Sequence, residues 1–341
     1  MRAALVTVRQ HRFEVGSAIV AAIAASLYGL VIVIRMSALP PAQECLDAVL
    51  ASPDGSGVSG DCLALAQNGA AILGETFLTS QGALAVSIMG ILPFLVGLLG
   101  GVPIVARELE TGTALTAWSL FGSRERWLLR QVLPIAIILG LGVSLAAMVA
   151  DPVADAAVTW GRAEATLIGL HGPLVLLRAA AAFGLGLAVG AILGRTLPAF
   201  VVGAALCAAL LIGSGLAREA WTVSLEAQVV AGHDPSTGEV DVDPRALTTG
   251  WGVLTPDGRL LSSAEARELA SAAGVQPASE HDDQDTPALE WYLENGYSLV
   301  PVGVSDAIAL GWTPYDALIF GAAGAIGLGV TVVFVSRRRP R

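Results

Sequence analysis

The stretch LAVSIMGILPFLVGLLGGVPIV, from Leu84 to Val105, holds 22 residues without one charged side chain. The hydrocarbon core of a bilayer is about 30 Å thick, and a helix needs about 20 apolar residues to cross it. This stretch therefore predicts a membrane-spanning helix. Five further runs of the same kind lie outward from it in both directions. The predicted spans are residues 14–34, 84–105, 128–150, 173–194, 197–217 and 315–336.

The composition of the whole chain agrees with this interpretation. Of its 341 residues, 54% are hydrophobic and only 14% are charged, and the mean hydropathy is +0.69. One globular core cannot hide so much apolar surface, so lipid is the natural solvent for the excess. The 39 glycines fit as well, because small residues let helices approach closely in a membrane. The predicted fold class is an all-α integral membrane protein with six transmembrane helices.

Arginine placement predicts the orientation, because segments on the cytoplasmic side carry an excess of basic residues. With the N-terminus inside, the inner segments are residues 1–14, 105–130, 195 and 337–341. They hold 12 of the 19 arginines and only four acidic residues. Both termini are therefore expected in the cytoplasm of a bacterial cell, with residues 36–83 and 218–314 outside the cytoplasmic membrane.

Two outer segments divide the chain into three regions. Residues 1–217 hold the first five spans, residues 218–314 form an extracytoplasmic loop domain, and residues 315–341 hold the sixth span and a basic tail. Within the loop domain, Glu239–Asp243 alternates like a short strand, and Pro256-Asp257-Gly258 is a turn signal. The loop domain is therefore predicted to be a small insertion of mixed structure.

The three cysteines fall in different environments. Cys45 and Cys62 share the first outer segment, where the surroundings are oxidising, and this predicts a disulfide between them. Two free thiols in that segment are the alternative. Cys207 lies in the fifth span, where it is expected to serve ordinary packing.

Several kinds of chemistry lack the residues that they need. The chain has no lysine, which excludes a Walker A nucleotide site and Schiff-base catalysis. Its four histidines are scattered and no pair has metal-ligand spacing, so neither a metal site nor a catalytic residue is predicted. No acidic residue lies inside a span, and only Glu14 and Asp316 sit at span edges. This argues against a proton-coupled carrier, which usually buries such acids.

Arg178 is the one clear charge within a span, about a turn and a half into the fourth. It either snorkels to the outer headgroups or faces the interior, where it would line the substrate pathway or pair with an acid. Small residues at helical spacing predict packing faces, within the chain or between two copies. These residues are Gly97 and Gly101 in the second span, Gly186, Gly190 and Gly194 in the fourth, and Gly321, Ala325 and Gly329 in the sixth.

The inner segment between the second and third spans carries the most informative pattern. From Gly101 to Pro134 the chain reads GVPIVARELETGTALTAWSLFGSRERWLLRQVLP. A mixed-charge patch at its start is followed by an apolar stretch and by a second charged group. This pattern is typical of one or two helices lying along the inner membrane surface, after which Trp127 would anchor the third span at the interface.

This segment resembles the ABC-2 family of ATP-binding-cassette transporter permeases. The family has an "ARE-x-E-x-GT" run, which reads Ala106 to Thr113 here, and an "SR-x-RW" run, which reads Ser123 to Trp127. Residues Gly194 to Ala199 are similar to the family's "RRTLPA" run, with Gly194 in place of the first arginine. The resemblance covers residues 1–216 and the last span.

The resemblance implies the six-helix ABC-2 permease fold of the type V exporter kind, with an amphipathic helix before the first span, here residues 6–13. It implies a second permease copy, identical or not, and a separate ATPase subunit that uses ATP and Mg²⁺, while this chain binds no cofactor. Residues 106–126 would form the cytoplasmic coupling helix that contacts the ATPase. The residues expected there are Arg107, Glu108, Glu110, Thr111, Gly112, Thr113, Trp118, Phe121, Ser123 and Arg124.

The leading hypothesis is therefore a non-catalytic permease subunit that works in export. A membrane-embedded enzyme that modifies lipids or glycans is the first alternative, although it would need clustered acids or histidines at one membrane face. A membrane sensor or immunity protein that binds a partner through its acidic outer domain is the second. Nucleic acid is not an expected partner, and the transported substrate stays open.

Overall fold

A computed structural model describes most of the spanning segments and part of the loop domain. The described residues are 11–37, 82–114, 123–159, 170–224, 228–229, 231–233, 240–242, 247–261, 263–275, 291–292, 294–304 and 310–337. Residues 6–10 of the predicted amphipathic helix over residues 6–13 fall outside them, and its last two residues, Arg12 and Phe13, belong to the first spanning helix. Cys45 and Cys62 also lie outside them, so the disulfide between these residues stays a prediction.

Long helices dominate the described residues. The helices are α1 (Arg12–Ser37), α2 (Gly82–Glu110), α3 (Arg124–Thr159), α4 (Gly172–Leu193), α5 (Thr196–Ser224), α6 (Ser263–Ala272) and α7 (Thr313–Arg337). All except α6 are long and apolar enough to cross a membrane, which gives six such helices in the described part of the chain. The predicted fold class, an all-α integral membrane protein with six spans, is confirmed.

The helices run past the limits that the sequence predicted. The second span was predicted to end at residue 105, whereas α2 continues to Glu110, and α3 begins at Arg124 rather than at residue 128. Arginine and glutamate are good helix formers, so a helix does not stop where the apolar residues stop. The charged residues of the predicted coupling segment therefore belong to the ends of spanning helices.

Glycines set the packing of α2 against α4. A Cβ on Gly97 would lie 2.5 Å from the carbonyl oxygen of Ala179, and one on Gly101 would overlap the carbonyl oxygen of Phe183. From the other side, a Cβ on Gly190 would lie 2.9 Å from the carbonyl oxygen of Val102. The two backbones thus approach so closely that no side chain fits between them. The packing predicted for Gly97, Gly101, Gly186 and Gly190 is confirmed within the chain, whereas Gly194 terminates α4.

The sixth span packs through a different face from the predicted one. A Cβ on Gly324 or Gly327 of α7 would meet the backbone of α4, at Ala180 and Gly184 respectively. Gly329, by contrast, has nothing within 4 Å of such a Cβ. Because α7 carries small residues on two faces, their spacing alone could not show which face meets α4. Within the chain α4 therefore meets Gly324 and Gly327 and not the predicted set of Gly321, Ala325 and Gly329, whose alternative role, packing between two copies, stays a prediction.

The loop domain belongs to a second compact unit. This unit includes Arg218–Gly311 and therefore begins within the last turns of α5. Its four-stranded antiparallel sheet has the order β1-β6-β4-β5, and β2 and β3 form a separate antiparallel pair. The strands are β1 (Gln228–Val229), β2 (Ala231–His233), β3 (Val240–Val242), β4 (Leu247–Leu254), β5 (Leu260–Leu261) and β6 (Ser298–Val304). Val240 to Val242, the central three of the alternating residues, form β3, and the turn signal joins β4 to β5.

A small apolar core holds this unit together. Val253 of β4 and Leu261 of β5 pack with Ala266 and Ala270 of α6. Tyr292 is buried in the same cluster and donates its hydroxyl to the carbonyl oxygen of Ala266. A sheet with one helix on its face is the simplest way to hide one apolar layer.

Candidate functional site

Several helix ends meet where the charged residues of the predicted coupling segment lie. Arg107 near the end of α2 contacts Glu14 at the start of α1, and Glu110 contacts Thr196 at the start of α5. Arg124 at the start of α3 contacts Ser336 at the end of α7. We call this region the Arg107 end of the helix bundle. The convergence follows from the alternating direction of six consecutive spans.

The Arg107–Glu14 ion pair joins α2 to α1. Arg107 Nη1 donates to Glu14 Oε1 at 3.0 Å, with the arginine side chain 55% exposed and the glutamate side chain 22% exposed. An ion pair as open to solvent as this contributes only about 0–1 kcal/mol to stability. Its effect is to fix the direction of Arg107. Glu14 was predicted only to mark a span edge, so its role as the partner was missed.

The residues Glu108 to Thr113 form a local cap at the end of α2. The Thr113 hydroxyl donates to Glu108 Oε2 at 2.5 Å, and the Thr111 hydroxyl lies 2.9 Å from the carbonyl oxygen of Arg107. Gly112 has φ +73°, a left-handed conformation that terminates many helices and that glycine adopts without strain. The Glu-x-Glu-Thr-Gly-Thr pattern from Glu108 to Thr113 is therefore explained by helix termination, and it leaves Thr111, Gly112 and Thr113 exposed.

Glu110 makes the contact between α2 and α5. Its Oε2 accepts hydrogen bonds from the Thr196 backbone N–H at 3.0 Å and from the Thr196 hydroxyl at 2.7 Å. Gly194 ends α4 with φ +62°, so only two residues separate α4 from α5. Thr196 is therefore the first residue of α5, where a backbone N–H has no partner within its own helix. The sequence analysis noted the resemblance of Gly194 to Ala199 to a family run, but it gave Thr196 no role.

The second charged group caps two further helices. The Ser123 side-chain oxygen accepts a hydrogen bond from the Arg126 N–H at 3.3 Å, which is an N-cap for α3. Arg124 Nη1 donates to the carbonyl oxygens of Val335 at 3.3 Å and Ser336 at 2.9 Å. A cation at the last turn of a helix satisfies free carbonyls and opposes the negative end of the helix dipole. Arg124 thereby ties α3 to α7.

Three expectations for this segment need correction or lie outside the described residues. Residues 106–110 form the last turn of α2 rather than the start of a separate coupling helix. Trp127 is fully buried inside the bundle and is not an interfacial anchor, because the first turn of α3 already lies against its neighbours. Trp118 and Phe121 lie outside the described residues.

Arg178 lies away from this end, inside the packing between α4 and α7. Only 3% of the residue is exposed, and its guanidinium carbon is 5.2 Å from the centre of the Phe320 ring. That distance is typical of a cation–π contact. Phe320 also packs against Phe94 of α2, with ring centres 5.9 Å apart. The interior alternative therefore describes Arg178 better than snorkelling does.

Asp316 is a buried acid that the predicted span limits placed at an edge. It lies in the first turn of α7 and is fully buried, and Oδ1 accepts a hydrogen bond from Trp312 Nε1 at 3.0 Å. The tryptophan that precedes the helix thus shields the carboxylate from lipid. Within the described residues no group of three or more potential ligand side chains could hold a metal ion.

Comparison with known proteins gives one match. The model of the family described as ABC-2 membrane transporter related matches residues 18–218, more than half of the chain. The matched segment includes the ends of α2 and α4 and the starts of α3 and α5, which meet at the Arg107 end. No curated protein matches the chain. No solved structure matches it either. The chain belongs to the ABC-2 membrane transporter related family.

Proposed function

We propose that this multi-pass membrane protein is the permease subunit of an exporter and works with a separate ATPase subunit. The ATPase binds and hydrolyses ATP with Mg²⁺, and the permease forms the substrate pathway. In this proposal two permease copies, identical or related, enclose the pathway. Family membership supports a transporter permease subunit. The geometry of the Arg107 end supports the coupling to a partner.

The single observation that carries the proposal is the set of contacts around the exposed residues that directly follow α2. Residues 111–113 are exposed, while the residues on either side of the loop between α2 and α3 contact α1, α5 and α7. A force applied to this loop would reach five helix ends at once. A simple connector between two spans would need none of these contacts. The arrangement suits a surface on which a second protein pushes.

Charge gives the docking surface its chemistry. Arg107 and Glu108 lie in the last turn of α2, and Glu125 and Arg126 are exposed in the first turn of α3. Charged groups at the rim of an interface make charge-assisted hydrogen bonds and fix its register. Trp118 and Phe121 are the apolar anchors proposed from the sequence for the same surface.

We place Arg178 along the substrate pathway. Its burial between α4 and α7 and its contact with Phe320 put a permanent positive charge inside the bundle. A charge at that depth is costly and is usually retained for function. A substrate that carries a negative group would interact favourably there.

The ATPase partnership is tested by purifying the tagged permease from its native host and identifying proteins that remain bound. We expect an ATPase with a Walker A motif to be retained with the wild type. Glu108→Arg should reduce the retained ATPase at least about tenfold, the effect of losing a charge-assisted contact of roughly 1.4 kcal/mol or more. Glu268→Arg, the same change on an exposed residue of α6, is the matched control.

A second variant separates charge from loop shape. Thr113→Val removes the hydroxyl that contacts Glu108 without changing any charge. It should retain more ATPase than Glu108→Arg does. Equal retention by Glu108→Arg and wild type would show that Glu108 takes no part in docking, and a wild-type permease that retains no ATPase would overturn the proposal.

The proposed orientation predicts which surface residues an impermeant thiol reagent reaches. The spans α3, α4 and α5 separate Thr113 from Asp257, and an odd number of spans puts the two residues on opposite sides of the membrane. Both residues are exposed. In a variant with Cys45 and Cys62 replaced by serine, Asp257→Cys should be labelled in intact cells, while Thr113→Cys should be labelled only after permeabilisation. The opposite pattern would reverse the orientation.

A further inference from the structure

α5 is the least enclosed of the six candidate spanning helices. Only 22% of its most apolar window is buried, against 72% for α2 and 67% for α4. Leu197, Val201, Ile212 and Leu216 are each more than 60% exposed. Lipid contacts an apolar face equally well wherever the helix lies, so these contacts do not fix the position of α5. The helix is held mainly by the few contacts on its other face.

Small residues form the centre of those contacts, and Phe200, Leu210 and Leu211 of α5 pack partly buried beside them. Ala199 and Cys207 are buried in one cluster with Leu98 and Val102 of α2. Between them, Gly203 lies so close to α2 that a Cβ would be 2.9 Å from Leu98 Cδ2. The three residues recur every fourth position, which places them on one face of the helix. Such a face permits close approach, but it contributes little side-chain area.

Glu110 makes a polar contact with the first residue of α5. The Glu110 carboxylate oxygen accepts two hydrogen bonds from Thr196, from the backbone N–H and from the hydroxyl. An N-terminal N–H is usually capped by a side chain of its own helix, whereas here the cap comes from α2. Hydrogen bonds to a charged group are roughly twice as strong as neutral ones. Glu110 therefore joins the end of α2 to the helix that has the least packing of its own.

We propose that Glu110 is a positioning residue that holds the start of α5 to the end of α2 and carries movement of the loop after α2 to α5. Only Thr111 separates Glu110 from Gly112, where α2 ends in a left-handed conformation. A displacement of the exposed loop therefore acts close to Glu110. The source of that displacement, an ATPase on the loop, rests on the proposed function above. The attachment of α5 through Glu110 does not, and it can be tested on the permease alone.

Cys207 provides the measurement, because it lies on the packed face of α5 and is only 4% exposed. With Cys45 and Cys62 replaced by serine, it is the single cysteine of the chain. The purified full-length permease is placed in lipid nanodiscs, and the rate of Cys207 alkylation by N-ethylmaleimide is measured. Glu110→Gln should raise this rate about tenfold, because the neutral amide oxygen can still accept from Thr196 but lacks the charge that strengthens both hydrogen bonds.

Matched variants separate this role from a general loss of structure. Glu108→Gln makes the same change two residues away, but Glu108 contacts Thr113 of its own loop, so the rate should stay at the wild-type value. Thr196→Ser keeps both donors and should also keep the wild-type rate, whereas Thr196→Val should raise it. Adding Thr196→Val to Glu110→Gln should raise the rate no further than Glu110→Gln alone. A wild-type rate in Glu110→Gln, or an equal increase in Glu108→Gln, would overturn the proposal.

The transmission of movement is tested in the complex with the ATPase. Mg²⁺ and ATP should change the Cys207 alkylation rate in the wild-type complex and leave it unchanged in the Glu110→Gln complex, with equal amounts of ATPase bound to both. A nucleotide response in Glu110→Gln equal to that of the wild type would overturn the transmission role. A wild type that binds no ATPase would remove both the proposed function and the transmission role, while the alkylation of the permease alone would still decide whether Glu110 holds α5.

Discussion

Gly101→Ala should prevent the close packing of α2 on α4 and destabilise the helix bundle. A single added methyl group would overlap the carbonyl oxygen of Phe183, and that oxygen belongs to a helical backbone that cannot rotate away. Overpacking a well-packed site costs typically 1–3 kcal/mol, and a clash with backbone atoms lies at the upper end, at about 3 kcal/mol. We expect this to be among the largest effects of any single methyl group in the described part of the chain.

Permease purified in detergent is heated and then run on a size-exclusion column. The measured quantity is the temperature at which the monodisperse peak falls to half of its original area. Gly140→Ala is the matched control, because Gly140 lies in the spanning helix α3 and a Cβ there has nothing within 4 Å. The control should be neutral or slightly stabilising, since alanine favours a helix over glycine by about 1 kcal/mol. If Gly101→Ala and Gly140→Ala melt at the same temperature, α2 and α4 do not pack as described.

Sequence alone was sufficient for the number and type of the helices. A run such as residues 84–105 forms an α-helix in a bilayer, because every backbone polar group must find a hydrogen-bond partner within the segment. The ends of the helices were less predictable. The charged residues from Arg107 to Glu110 were predicted to begin a separate coupling helix, but they continue α2, since helix propensity extends beyond the membrane.

The sequence predicted which residues form the candidate site, but it did not predict the contacts between them. The resemblance to the ABC-2 family pointed to Glu110, but no property of the sequence pairs Glu110 with Thr196, 86 positions later. Such a contact depends on the fold bringing two helix ends together. The same holds for Arg178. Its position in the fourth span was plain, but only the packing of Phe320 shows that it faces the interior.

The packing of α7 shows why small residues alone do not predict an interface. Gly321, Ala325 and Gly329 follow the spacing of a close helix contact as well as Gly324 and Gly327 do. In the structure α4 meets the second group. The face that meets α4 depends on the rotation of α7 about its axis. Larger side chains of α7 that pack inside the bundle, such as Phe320, set this rotation.

The central claim of this account is that a separate ATPase binds the loop between α2 and α3, and photo-crosslinking tests it most directly. Glu125 is exposed in the first turn of α3, immediately after that loop. Replacing Glu125 by the photo-reactive amino acid benzoylphenylalanine places a short-range probe on the proposed docking surface and removes only one exposed charge. Two control positions carry the same probe: Asp257, in the turn between β4 and β5, and Leu141, which is 69% exposed in the middle of α3.

Irradiation of intact cells should join the ATPase to the permease from Glu125 and from neither control position. The expected result is all or none, because the probe reacts only with atoms within its own short reach. In the proposed orientation, neither the lipid-facing Leu141 nor Asp257 on the opposite side of the membrane has access to the ATPase. Either of two results would contradict the account. One is an ATPase adduct that forms from the probe at Asp257. The other is the absence of an ATPase adduct from the probe at Glu125 although the ATPase co-purifies with the permease.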